Sequence, residues 1–256
     1  MQILEGRAWF EAGASLALMP LWQLAPRGDG HPVLVLPGLV ASDRSTAIMR
    51  RFLGRLGYAV SPWGLGINFG PRPGVVEGMR RKIEQLAEAH GRKVSLVGWS
   101  LGGLFALYGA HQASECVRSV ITLGSPVSVD PEGSNSPGFV KALYRVIAHP
   151  IGPATHVMQP RAKKLREMKQ LPVPMSCLYS ISDGVVPAQE ATIDGDPAMH
   201  ENIRVFGSHS GLGFNGMVMC IIADRLSQPE REWQPFKPSG LSGAAYRMMT
   251  HEAVPF

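Results

Sequence analysis

The chain has 256 residues, 45% hydrophobic and 18% charged, enough apolar material to bury the core of one α/β domain. A formal net charge of +5, spread along the chain, excludes the clustered basic footprint of a nucleic-acid-binding protein and leaves room for peripheral contact with an anionic membrane surface. Three cysteines, Cys116, Cys177 and Cys220, stand far apart with no Cys-x-x-Cys spacing, so neither a zinc site nor a disulfide framework is indicated, and each reads as a buried free thiol.

Ala12 to Pro26 is apolar but interrupted by Pro20, and Glu5, Arg7 and Glu11 precede it in place of a positive leader region. It reads as an N-terminal helix packed on the domain. No apolar run reaches the roughly 20 residues that span a bilayer. The expected location is the cytoplasm.

Pro32 to Leu36 is a continuous apolar run, as in a strand buried on both faces of a parallel sheet. Pro37-Gly38-Leu39 ends it. Ser42 or Asp43 is placed to cap the next helix, in which Ile48, Met49, Phe52, Leu53 and Leu56 recur at helical spacing until Gly57. Tyr58 to Val60 is a short strand. The loop Pro62 to Gly74 carries Trp63, Asn68, Phe69 and four glycines, and a helix follows with Val75, Val76, Met79, Ile83 and Leu86 on one face.

Val94 to Gly103 reads Val-Ser-Leu-Val-Gly-Trp-Ser-Leu-Gly-Gly. Strand formers lead into Gly98-x-Ser100-x-Gly102, and the Leu- and Ala-rich stretch from Leu101 to Ala113 continues as a helix. In that context the pattern is a nucleophile elbow: glycines without Cβ let strand and helix approach, and the turn lifts the Ser100 hydroxyl off the sheet. The Leu101 N–H then opens a helix and can face a developing oxyanion. These residues resemble the α/β-hydrolase superfamily, most closely its small lipases and esterases.

A strand from Val117 to Leu123 completes the order β-α-β-α-β-α-β, which implies a parallel sheet with right-handed crossovers. Gly124 to Pro174, rich in proline, is expected to be a cap or lid inserted within a single domain spanning 1–256, where the resembled superfamily often places one, with a packed surface excursion that gates nothing as the alternative. Met175 to Ser182 is a strand leading into Asp183-Gly184. Ile203 to Phe206 is another, leading into Gly207-Ser208-His209-Ser210-Gly211. Phe214 to Leu226 is helical, and the tail from Ser227 to Phe256 is expected to lie across the domain. The expected fold is therefore α/β: a mostly parallel sheet of about six strands flanked by helices.

A serine hydroxyl needs an adjacent base, oriented in turn by a third group. The resemblance implies the chain order serine, acid, histidine, which selects Ser100, Asp183 and His209. Asp194 and Asp196 are rival acids but fall mid-loop. The other histidines break the order or lie in the cap or tail. Glycines and serines around His209 indicate a mobile loop. The resemblance also implies a second oxyanion donor after the first strand, which selects the Leu39 N–H beside Leu101, although Pro37-Gly38 stands where many relatives carry His-Gly. Trp63, Phe69 and Trp99 are candidate pocket walls, with core packing as the alternative for each and a place beneath the elbow for Trp99. No metal or cofactor is called for. The implied activity is hydrolysis of small or lipid-like carboxylic esters through an acyl-enzyme. The alternatives are acyl transfer by the same residues, or a binding protein that has kept the fold.

Overall fold

The computed structural model describes residues 25–72, 74–128, 171–238, 243, 246 and 250. Six parallel strands form one sheet in the order β2-β1-β3-β4-β5-β6, with β1 Pro32–Leu36, β2 Ala59–Pro62, β3 Val94–Trp99, β4 Val117–Leu123, β5 Met175–Ser180 and β6 His200–Val205. The helices are α1 Ala47–Leu56, α2 Val75–His90, α3 Leu101–Gln112 and α4 Gly216–Ser227.

Alternation along β1 sorts the core into two layers. Leu34 and Leu36 face Met79, Ile83 and Leu86 of α2 and the residues of α3. Val33 and Val35 face Met49, Phe52, Leu53 and Leu56 of α1 and the apolar face of α4. All of Leu101 to Ala110 is buried, which is why α3 lacks a polar stripe. The chain moves outward from β1 to β2, then returns to the other side of β1 to make β3. Loops leaving β1 and β3 therefore diverge at a topological switch point, where open α/β sheets form their crevices.

Several expectations need correction. Neither Ser42 nor Asp43 caps α1. The helix starts later, after Thr46 without a side-chain cap, and the Asp43 carboxylate instead accepts the Trp63 and Gly64 N–H groups. Ile48 lies on the exposed side of α1. β6 begins at His200 rather than Ile203. Only Cys177 is fully buried, with its thiol pushed up to about 12 by burial, whereas Cys116 and Cys220 are half-buried. The N-terminal helix expected within 12–26 lies outside the described residues except at its last positions, as does most of the cap expected over 124–174, of which 124–128 and 171–174 are described. The tail meets β6: the Phe236 N–H donates to Glu201, and the Tyr246 hydroxyl donates to the Arg204 carbonyl. Among the described residues, no helix is long and apolar enough to cross a membrane.

At the amino ends of β1, β3 and β4 lies a polar chain that runs from half-exposed Asp29 to buried His31 and Ser95. His31 Nδ1 is 2.5 Å from Asp29 Oδ1, and its Nε2 is 3.0 Å from Ser95 Oγ, which lies 3.0 Å from Ser119 Oγ. Arg92 and Arg118 also pair with Asp29. Burial pushes His31 down to about 4, against the pull of Asp29. Partial burial acts to raise Asp29, but hydrogen bonds from His31, Arg92 and Arg118 outweigh it and hold the carboxyl well below the usual range. Unfolded, His31 takes a proton near pH 6.5, but folded only near 4. Stability from this site is thus fully present above about pH 6.5 and falls as pH drops through that window. The urea midpoint is expected to decline between about pH 7 and 4.5, and the decline should flatten in His31→Gln. An equal slope in the variant would show that other groups set it.

Candidate active site

Ser100 joins β3 to α3 at φ 54°, a conformation that costs an L-residue roughly 1–3 kcal/mol unless its surroundings enforce it. Here they do. The Ser100 N–H donates to the Leu123 carbonyl at 2.8 Å, and its own carbonyl accepts from Gly103 at 3.0 Å. A Cβ on Gly98 would meet the Gly102 carbonyl and the Gly103 Cα; one on Gly102 would overlap the Leu36 carbonyl. These neighbours are backbone and cannot swing aside. Gly102→Ala is therefore expected to destabilise the fold by about 3 kcal/mol or more, measured by urea unfolding. A loss under about 1 kcal/mol would mean that β1 and the elbow are not so tightly opposed.

His209 follows the carboxyl end of β6, and Asp183 follows that of β5. His209 Nε2 lies 2.9 Å from Ser100 Oγ, and its Nδ1 lies 2.8 Å from Asp183 Oδ2. The Asp183 side chain is 1% exposed, and its other oxygen accepts the Val185 and Val186 N–H groups, each at 2.8 Å. Three of its acceptor positions are thus filled, one by the imidazole. Gly124, at φ 51°, leaves space beside this pair: a Cβ there would stand 2.8 Å from Asp183 Oδ2 and 3.2 Å from His209 Nδ1.

The histidine turn is anchored, contrary to the mobile loop expected from its glycines and serines. His209 is buried. Ser180 and Ser182 hydroxyls both donate to the Gly207 carbonyl, and Ser208 Oγ accepts from Gly211. Trp99 Nε1 donates to the His209 carbonyl at 3.1 Å, and its ring fills the space where a Gly213 side chain would be. Trp99 therefore braces the histidine turn rather than packing beneath the elbow.

Of the other candidate walls, Trp63 is a core residue: it is 2% exposed, donates to the Gly66 carbonyl and packs edge-on to Phe105. Phe69 is exposed, with the Arg72 guanidinium over its face. Leu39 is half-buried in the turn after β1, and Leu101 is the first residue of α3, so its N–H has no intrahelical acceptor. A Cβ on Gly38 would lie 3.3 Å from Ser100 Cβ, which puts this turn against the elbow. No group of three or more His, Cys, Asp or Glu that could hold a metal occurs among the described residues.

No family model matches the sequence, and no curated protein does. Solved structures do match. A lipase from Bacillus licheniformis in its mature form superposes with a TM-score of 0.55 at 17% identity, over 80% of this chain and 94% of that one. The chain has the α/β-hydrolase fold. Aspergillus fumigatus lipase B superposes with a TM-score of 0.56 at 17% identity, over 80% of this chain but only 54% of the lipase, so the chain spans about half the length of that enzyme. An α/β superfamily hydrolase from Oenococcus oeni gives a TM-score of 0.51 at 18% identity, over 78% of this chain and 94% of that one.

Within this α/β-hydrolase fold, two residues at the site carry no role in the sequence reading. Gly124 has a visible signal, a glycine directly after a buried strand. Asn68 has a weaker one, a polar residue between Ile67 and Phe69; its partners are a long way off in sequence, on the turn after β1.

Proposed function

We propose that this protein is a serine hydrolase that cleaves carboxylic esters. The observation that supports this most is the continuous path from Asp183 Oδ2 through both imidazole nitrogens of His209 to Ser100 Oγ, at 2.8 and 2.9 Å. With Nδ1–H donating to Asp183, Nε2 is left as the base. Ser100 Oγ attacks the ester carbonyl while Nε2 takes its proton, and the resulting imidazolium is stabilised by the Asp183 carboxylate. The tetrahedral oxyanion accepts hydrogen bonds from the Leu39 and Leu101 N–H groups. Its collapse expels the alcohol, which leaves with the proton from Nε2–H. Water then attacks the acyl-enzyme, losing its proton to Nε2. Collapse of the second tetrahedral state breaks the acyl–Oγ bond as Nε2–H returns that proton to Ser100 Oγ, which releases the acid and restores the resting site.

Val40, Ile67 and Phe69 are exposed on the two loops that Asn68 ties together, and this apolar surface supports esters of apolar acyl groups as the substrates to test. The test is a panel of p-nitrophenyl esters of rising acyl length, together with labelling by a fluorophosphonate and mapping of the labelled residue. Turnover with the label on Ser100 is expected. Absence of both turnover and label would overturn the reading.

A further inference from the structure

The Leu39 N–H is useful as an oxyanion donor only if its peptide plane is held in one orientation, and the turn that carries it is short and irregular. Asn68 is fully buried, 31 residues away in sequence, and makes contact with that turn at several points. Its Nδ2 donates to the Pro37 carbonyl at 2.8 Å. Its own carbonyl accepts the Val40 N–H at 2.7 Å, and its N–H donates to the Ala41 carbonyl at 2.8 Å. Its Oδ1 accepts the Gly70 N–H at 3.1 Å, which fixes which way the amide faces.

These bonds act on the planes either side of the Leu39 N–H. The Pro37–Gly38 plane is held through the Pro37 carbonyl. The Leu39–Val40 plane is held through the Val40 N–H. Between them, the Gly38 carbonyl accepts from Ala41 at 3.3 Å, so the Leu39 N–H, anti to it across the same peptide, points the other way. That N–H has no partner among the described residues. Val40 pays for the arrangement: a β-branched residue at φ 57°, 65% exposed, is held in the left-handed region with no burial to offset it. Such strain persists where the surroundings over-determine the backbone, and Asn68 supplies that restraint.

We infer that Asn68 is the positioning residue of the oxyanion turn, aiming the Leu39 N–H at the ester oxygen; this rests on the hydrolase reading above. Its side chain makes two bonds that the backbone could not, one from the Gly70 N–H and one to the Pro37 carbonyl, and the second is the one that reaches the oxyanion turn. Asn68→Asp replaces that donor with an oxygen facing a carbonyl, at unchanged size. Asn68→Ala removes the donor without repulsion. A donor displaced by a fraction of an ångström loses most of its value for the tetrahedral state and little for the ground state.

The experiment measures kcat and KM per site titrated with a fluorophosphonate, the affinity for an alkyl boronic acid that forms a tetrahedral serine adduct, and the thermal midpoint. For Asn68→Asp, kcat per titrated site is expected to fall about a hundredfold and boronate affinity by a similar factor, with KM within about threefold. Asn68→Ala should fall less, by about tenfold, and serves as the measured variant if the aspartate protein does not fold. A wild-type kcat per titrated site in the folded variant, whatever its thermal midpoint, would show that Asn68 serves the fold only and would overturn the inference. A rise in KM with kcat and boronate affinity unchanged would overturn it as well. If the wild-type protein neither turns over esters nor labels at Ser100, the hydrolase reading fails first and this inference falls with it.

Discussion

Ser100→Ala is expected to lower kcat on a short ester by about a millionfold while leaving the fold intact. The size follows from what is removed: without Oγ the imidazole at 2.9 Å has nothing to deprotonate on the enzyme, and only the oxyanion donors and binding remain. The stability side is equally specific. Ser100 sits at φ 54° because the Leu123 and Gly103 backbone bonds hold it there, and those bonds do not involve its side chain. Alanine keeps the strain, so its unfolding free energy should stay within about 1 kcal/mol of the parent. Glycine relieves it. Ser100→Gly should be as inactive as the alanine variant yet about 1 kcal/mol more stable, the strain released exceeding the added chain entropy of the unfolded state. Substantial turnover by either variant would remove Ser100 from the role of nucleophile. A glycine variant less stable than the alanine one would show that the elbow is not a strained turn.

What could be read from the sequence divides along physical lines. β1 and β4 have the bounds expected of them: β1 is the plain apolar run of a strand buried on both faces, whereas β4 carries Arg118 and Ser119 at its start before the mostly apolar stretch Val120 to Leu123. The elbow is equally plain as a pattern, since Gly98, Ser100 and Gly102 fall within one short stretch, although only the Gly98 contact is local and Gly102 is needed against the Leu36 carbonyl of β1. β6 is another matter. His200, Glu201 and Asn202 look like loop, and they belong in a strand because Arg225 and Ser176 bond Glu201 and the Asn202 amide clasps Ile193. Those partners come from other elements, and no local pattern announces them. The same holds at the site. The positions of Asp183 and His209 follow from strand ends, whereas the bracing by Trp99 and the hold of Asn68 depend on loops that meet only after the sheet has formed. Aromatic character alone put Trp63 and Trp99 on a pocket wall; one lies in the core and the other carries a hydrogen bond to the histidine turn.

The choice of acid gives the second large effect. Asp183→Asn is expected to lower kcat by about four orders of magnitude with little loss of stability, whereas Asp194→Asn and Asp196→Asn should stay within about tenfold of the parent. The three carboxylates differ in which end of the sheet they occupy. In parallel strands the carboxyl ends lie together, and both Asp183 and His209 follow such ends. Asp194 and Asp196 precede β6, at its amino end, with Asp196 occupied in capping the Ala198 N–H and both residues exposed. In Asp183→Asn, the amide can keep its oxygen on the Val185 and Val186 N–H groups, which already fix one side of the carboxylate at 2.8 Å. Its NH₂ must then face His209 Nδ1. A donor there demands that Nδ1 be the acceptor, so the ring proton moves to Nε2, the atom that has to accept from Ser100. The histidine is left in place in the wrong tautomer, with no negative charge to stabilise the imidazolium. Geometry is kept and catalysis is lost, so the variant should still bind substrate with a KM within a few-fold of the parent. The deciding measurement is kcat for all three variants on one short ester, with urea midpoints alongside. An active Asp183→Asn beside an inactive variant at either rival position would transfer the role of orienting acid to that aspartate.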